Sequence, residues 1–240
     1  MKVSGFTIVR NALKFDYPVV ESVNSLLPLV DELIVLVGKS DDDTLNYIKS
    51  IPSDGKIKII ETVWDDSLRE GGLVLSQETN KAFDAIPQKY TWAFYIQGDE
   101  VLPEEYLEEI KRSLIKYKDE LQVQGLLFNY LHFYGNYDYV GDSRDWYRNE
   151  IRIIRNDKKI RSYKDAQGFR TSADEKLNVK KINATIHHYG WVKSPKAQQE
   201  KQKNFHKMWH DDEWVKSHVG VAEEFDYSKI DSLVPFTGKH

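Results

Sequence analysis

Asp99 and Glu100 close the run Tyr95-Ile96-Gln97-Gly98-Asp99-Glu100, where an apolar stretch gives way to a glycine and then to two acids. A glycine there lets a ligand approach the backbone closely. Hard cations such as Mg2+ and Mn2+ take carboxylate oxygens and keep positions open for phosphate oxygens. The competing reading is structural, with the two acids capping a helix that opens at Pro103. A second group is His187-His188 beside Tyr189. Alternation along a strand sends the two imidazoles to opposite faces, so at most one meets such a site, and we favour His188; either histidine can equally be a structural hydrogen-bonder.

Three further segments carry chemistry-bearing residue types. Gly38-Lys39-Ser40-Asp41-Asp42-Asp43-Thr44 is a glycine turn into a helix N-terminus. Its acids suit ribose or base donors and repel phosphate, or simply cap the helix. Lys193, Lys196, Lys201, Lys203 and Lys207, with His206, form a basic helix whose Phe205, Met208 and Trp209 make an apolar docking stripe. It reads first as an amphipathic surface helix. Its functional readings are neutralisation of a diphosphate by one or two lysines, or peripheral contact with an anionic membrane surface. Tyr137, Tyr139, Trp146 and Tyr147 form an aromatic loop, suited to stacking on sugars or to filling a core.

The elements that must position these residues alternate in period. Phe6 to Val9, Leu33 to Val37, Ile57 to Ile60 and Trp92 to Ile96 read as buried strands, being short apolar runs bounded by polar residues. Between them, helices are expected from Pro18, over Thr44 to Ile51, and over Ser76 to Ile86; another runs from Pro103 to about Tyr117. Strand and helix alternating with short connections imply parallel βαβ units covered on both faces, an α/β fold. Ligands of such sheets sit beyond the carboxyl ends of the strands. That places the site at Arg10-Asn11, at Gly38 to Thr44 and at Gln97 to Glu100. The second half changes character: Gly125 to Tyr134, Glu150 to Arg155 and Ile182 to Tyr189 look like strands, and a charged helix spans about Pro195 to Trp209.

Composition bounds the rest. The chain has 240 residues, 40% hydrophobic and 30% charged, the balance of a globular protein able to bury roughly 70–75% of its unfolded surface. It lacks cysteine, which excludes disulfides, zinc-thiolate sites and cysteine nucleophiles. The net charge of −4 supplies no global field for nucleic acid, so a phosphate-bearing ligand needs a local site. The apolar stretch after Met1 is too short for a signal peptide, and no window reaches 18 uninterrupted apolar residues. A soluble, cytoplasmic protein is expected. With no Pro/Gly/Ser-rich linker or internal repeat, residues 1–240 read as one composite domain: a donor-binding half over 1–100, an acceptor half over 101–192, and a helical extension over 193–240.

Taken in order, these segments resemble the family 2 glycosyltransferases of the GT-A type. Ile8-Val9-Arg10-Asn11 is similar to the first strand and its Lys/Arg-Asn-Glu triplet, with Ala12 in place of the Glu. Ser40 to Thr44 is similar to the turn after strand two, with Asp42 in the acidic place and Val37 where an Asp is usual. Asn80 falls at an Arg-Asn pair, with Thr79 for the Arg. Trp92 to Glu100 resembles the Asp-x-Asp-Glu segment with its first acid changed to Gln97. Glu150 to Arg155 and His188-Tyr189-Gly190 resemble later segments. The resemblance covers residues 3 to 209. It implies a GT-A-like (Rossmann-like) fold with a mostly parallel central sheet and helices on both faces.

It implies also a nucleoside-diphosphate sugar donor, a glycan or lipid-linked sugar acceptor, and a divalent cation held by Asp99 and His188. Arg10, Asn11, Asp42, Asn80, Gln97 and Asp99 are then the donor-binding residues. The reaction expected is an inverting displacement in which a carboxylate takes the acceptor's proton. Asp165 is the first candidate, followed by Asp174 and Glu175. Because Gln97 and Val37 depart from pattern, a catalytically silent sugar- or nucleotide-sugar-binding module is the alternative. A nucleotidyltransferase would need a Gly-rich basic phosphate loop, which the N-terminal strand does not offer, and a lectin would rest on the aromatic loop alone.

Overall fold

The computed structural model describes residues 1–68, 70–210, 212–219 and 222–240. Strand β1 (Val3–Val9) is buried along its whole length. It pairs in parallel with β2 (Glu32–Gly38) on one side and β4 (Trp92–Tyr95) on the other. Strand β3 (Ile57–Thr62) pairs in parallel with β2 and is half-buried, as an edge strand is. The continuous Val/Ile/Leu runs read from the sequence thus belong to strands covered on both faces.

The sheet continues beyond β4 in antiparallel fashion. Strand β5 (Glu100–Val101) follows at once, then β6 (Gly125–Tyr134), β7 (Tyr139–Gly141) and β8 (Asn149–Arg155). A hairpin of β9 (Ile160–Tyr163) and β10 (Gly168–Thr171) stands apart. The long β11 (Val179–Trp191) pairs in parallel with β6 and antiparallel with β5, and β12 (Leu233–Pro235) pairs with β7. The spatial order is β12-β7-β6-β8-β4-β1-β2-β3. Strand order therefore reverses between β1 and β4, opening a crevice above their carboxyl ends.

Helices cover both faces. Pro18 precedes α1 (Val19–Leu26), which buries Val19, Val23 and Leu26 at i, i+4 and i+7. Helix α2 (Thr44–Lys49) is short, ending before Pro52 as the sequence predicts. On the opposite face α3 (Leu73–Asp84) packs Val74, Ala82 and Phe83 against Phe6 and Tyr95. A 3-10 turn over Glu104–Tyr106 leads into α4 (Leu107–Lys116). Helix α5 (Pro195–His206), capped by the Ser194 hydroxyl, and α6 (Asp212–His218) follow β11. The expected aromatic loop of Tyr137, Tyr139, Trp146 and Tyr147 contains β7, and β5, β9, β10 and β12 are too short for a periodic signal. Among the described residues, no helix is long and apolar enough to cross a membrane.

The two halves of the sheet are joined by a buried ion pair. Arg152 and Glu100 are both fully buried. The Arg152 Nη2 lies 2.6 Å from Glu100 Oε1, and its Nε lies 2.9 Å from Oε2. The Tyr130 hydroxyl donates to the same carboxylate. Removing one partner of a buried pair strands the other's charge, which typically costs 3–5 kcal/mol. Arg152→Met is expected to lower unfolding stability by about that amount in urea titrations. Combining it with Glu100→Gln should recover part of the loss; no recovery would mean that the pair's charges do not drive the effect.

Candidate functional site

A cavity of about 840 Å³ opens where the strand order reverses. Its floor comes from the ends of β1 and β4, at Val9 to Asn11 and Gln97 to Asp99, its far wall from His188 on β11 and Asp165 to Gln167 in the β9–β10 turn. Helix α5 roofs it with Lys201 and Phe205. The helix lies there because its apolar side docks on the domain, and the Gly72 N–H bonds the Met208 carbonyl at 3.3 Å. This is the crevice in which open α/β sheets hold ligands, and its volume suits a molecule of nucleotide-sugar size.

Charge concentrates at Asp99. Its Oδ2 lies 3.1 Å from Lys201 Nζ and 3.5 Å from His188 Nε2. Burial alone would raise the Asp99 carboxyl, but Lys201, His188 and Lys193 outweigh it and hold the group well below the carboxylate range. Gly190 makes the approach possible, because a Cβ there would lie 2.5 Å from His188 Nε2 and 2.6 Å from Asp99 Oδ2. His188 is oriented from behind. Burial, with His188 adding to it, pushes His132 down to about 3, so its ring is neutral near pH 7. Its Nε2 faces the Tyr147 carbonyl at 3.1 Å and must donate, which leaves Nδ1 to accept from His188 Nδ1 at 3.1 Å. His188 therefore presents Nε2 to Asp99, the kind of outer-shell support that metal-ligating histidines have. As alternation requires, His187 points the other way, against Phe133 and Phe236.

The expected Mn2+ or Mg2+ has these two groups as donors, and no cluster of three or more His, Cys, Asp or Glu able to hold a metal occurs among the described residues. An ammonium already occupies Asp99 Oδ2. With Lys201 in place the set does not fit a dication, and binding one requires Lys201 to withdraw.

The structure brings some of the expected residues together and leaves others apart. Arg10 lines the cavity, paired with Asp66 at 2.5 Å and set over the Trp64 ring at 5.5 Å. Asn11, at φ 55°, ties the first loop to the second by accepting from the Asp41 N–H at 2.7 Å. Gln97 lines the cavity and donates to the Ala166 carbonyl at 3.3 Å. Asp165 faces the same space, half-buried in a turn crowded against Gly72, and burial raises its carboxyl from its ordinary value.

Asp42, Asn80, Asp174 and Glu175 do not line it. Asp42 spends its carboxylate on the Lys14 and Thr44 N–H groups, and the neighbouring Asp41 faces the cavity instead. Asn80 clamps α3 to β9 through the Ser162 backbone, at 3.1 and 2.9 Å. Asp174 sits in an exposed turn, paired with Arg170 at 3.1 Å, and Glu175 beside it is exposed. Of the basic residues, Lys193 precedes α5 and bonds the Phe15 and Asp16 carbonyls, and burial pushes it down to about 8. His132 gives no motif signal in the sequence, and Glu150 and Arg152 fall in a segment read only as a strand; the fold reveals what they contact.

No family model matches the chain, and no curated protein matches it. Among solved structures it is similar to S. aureus TarS 1-349, with a TM-score of 0.51 and 15% identity over 85% of this chain and 64% of that one. A structure of S. aureus TarS matches at TM-score 0.50 and 14% identity, over 85% of this chain and 39% of that one. TarS 1-349 in complex with UDP-GlcNAc matches at TM-score 0.49 and 17% identity, over 85% and 65%. The chain thus spans less than two thirds of the length of these proteins. The likeness is one of fold: a GT-A-like, Rossmann-like mixed sheet with helices.

Behind the cavity, Glu150 lies 3.5 Å from Arg152 and accepts from Gln167 at 3.2 Å, and burial pushes its carboxyl up to about 7. A raised carboxyl favours the folded state only while protonated, so stability is lost as pH rises from the ordinary 4.5 through 7. Glu150→Gln should match the wild type at pH 4 and exceed it by about 3 kcal/mol at pH 8 in urea unfolding. A difference that does not change with pH would contradict this assignment.

Proposed function

We infer that the chain transfers a sugar from a nucleoside-diphosphate sugar to a hydroxyl acceptor. The observation that carries this reading is the placement of Lys201, beside Asp99 and His188, in the same switch-point cavity as Asp165. The diphosphate lies against Lys201, and the nucleoside extends past Arg10 and Asn11 toward Trp64 and Asp41. Asp165, rather than Asp174 or Glu175, takes the acceptor proton. The acceptor oxygen then bonds to the anomeric carbon from the face opposite the diphosphate. The bond from that carbon to the phosphate oxygen breaks, and its electron pair leaves with the diphosphate, inverting the centre. Charge on the leaving group is met by donors already in place, which is where electrostatic catalysis has its largest effect.

The acceptor is a glycan or a lipid-linked sugar, entering from the side of Tyr147 and Trp191, whose rings line the cavity. For a lipid-linked acceptor, Lys196 and Lys203 on α5 supply the contact with an anionic membrane surface. A divalent cation enters this scheme only if Lys201 yields Asp99. The silent-module alternative shares the donor site and differs in releasing no product.

Thermal unfolding with a panel of nucleotide-sugars, UDP-GlcNAc among them, tests the reading. A ligand at 100 times its Kd adds about 2.7 kcal/mol of stability, a readily measured rise in Tm. At least one nucleotide-sugar should produce it, and the same one should release nucleoside diphosphate when acceptors are supplied. Asp165→Asn should keep the Tm rise and lose 10²–10⁴ in kcat, the contribution of a general base. If no nucleotide-sugar raises Tm, the donor site is misassigned; if Asp165→Asn turns over normally, the base is.

A further inference from the structure

The cationic position beside Asp99 is filled by the chain itself. Lys201 Nζ donates to Asp99 Oδ2 at 3.1 Å and to the Gly190 carbonyl at 2.9 Å, with the lysine side chain only 13% exposed. An ammonium carries three donors, so one remains for a ligand in the cavity that Lys201 lines. The Tyr17 ring supports the ammonium from the side at 5.0 Å.

A dication bound to Asp99 would sit about 2 Å from a carboxylate oxygen, which brings it into Lys201's own contact. It would also find only one imidazole, His188, to join Asp99, because Gln97 carries no charge and its amide is turned to the Ala166 carbonyl. Lys201 offsets Asp99 at the site, the buried Lys193 adds a positive charge nearby, and Arg10 at the cavity is paired with Asp66.

We propose that Lys201 is the resident counter-charge for the diphosphate, so that this chain binds and releases nucleoside diphosphates without a divalent cation. Asp99 and His188 are then positioning residues for the ammonium. Lys201 lies on the helix that roofs the cavity, so the charge is part of the roof. The proposal rests on the cavity being a nucleoside-diphosphate site.

Tryptophan fluorescence, with Trp64 in the cavity wall, reports binding of UDP, GDP, CDP and ADP to the full chain in EDTA and again in 1 mM MnCl2. At least one should bind in EDTA, with Kd changed less than threefold by Mn2+. Lys201→Met should weaken that diphosphate tenfold or more in EDTA, leave the corresponding nucleoside within twofold, and acquire a dependence on Mn2+ now that Asp99 is free. Lys201→Arg should retain binding in EDTA, and circular dichroism of both variants checks folding. The proposal is overturned if the wild type binds a diphosphate only with Mn2+, or if Lys201→Met binds as tightly as wild type. If none of the four binds with or without metal, the nucleotide-sugar reading falls with it.

Discussion

Arg152 spends one guanidinium on two parts of the site. It grips Glu100, the neighbour of Asp99, through Nε and Nη2, and it donates through Nη1 to the Gln167 carbonyl, two residues beyond Asp165. The floor and the far wall of the cavity are thereby fixed to one buried group on β8. Burying both charges is costly, and an apolar pair of similar volume could stabilise the protein as well. What the ion pair provides is position. Tyr130 closes the network on Glu100, and the Arg152 guanidinium stacks over its ring at 5.2 Å. A site that needs Asp165 and the Asp99–Lys201 pair held at a fixed separation requires such a rigid connection between them.

The cation cluster shows how fold and charge work together. Three elements distant in sequence meet at Asp99: the β4–β5 loop that carries it, β11 with His188, and α5 with Lys201. Each is placed by ordinary packing or pairing. Strand β5 pairs His188 with Glu100, which sets His188 beside Asp99, and Gly190 leaves room for them to meet. Desolvation would raise the Asp99 carboxyl if it were alone. Its surroundings reverse that outcome, and the same positive surroundings favour an anionic ligand.

Much of the fold was legible because it follows from local rules. The four parallel strands appear as apolar runs, their helices as apolar stripes, and the site at the carboxyl ends of the strands follows from topology. Of the residues singled out in the sequence, Asp99, His188 and Asp165 line the cavity. Asn80 and Asp42 have suitable residue types but face Ser162 and Thr44, and a one-residue difference decides that Asp41 faces the cavity. Asp174 and Glu175 cannot be told from Asp165 by type; only the β9–β10 hairpin, too short to leave a period, turns Asp165 inward. The lysine that meets Asp99 is 102 residues away, and no local pattern singles Lys201 out from its neighbours on α5.

Hydrogen–deuterium exchange of the full chain, with and without the nucleotide-sugar that most raises Tm, locates the ligand most directly. The account predicts slowed exchange at 9–12, 97–100 and 165–168, and along α5, which roofs the cavity. Protection absent from these segments, or concentrated instead at the small cleft between α4 and β11 lined by Arg112 and Lys181, would contradict it.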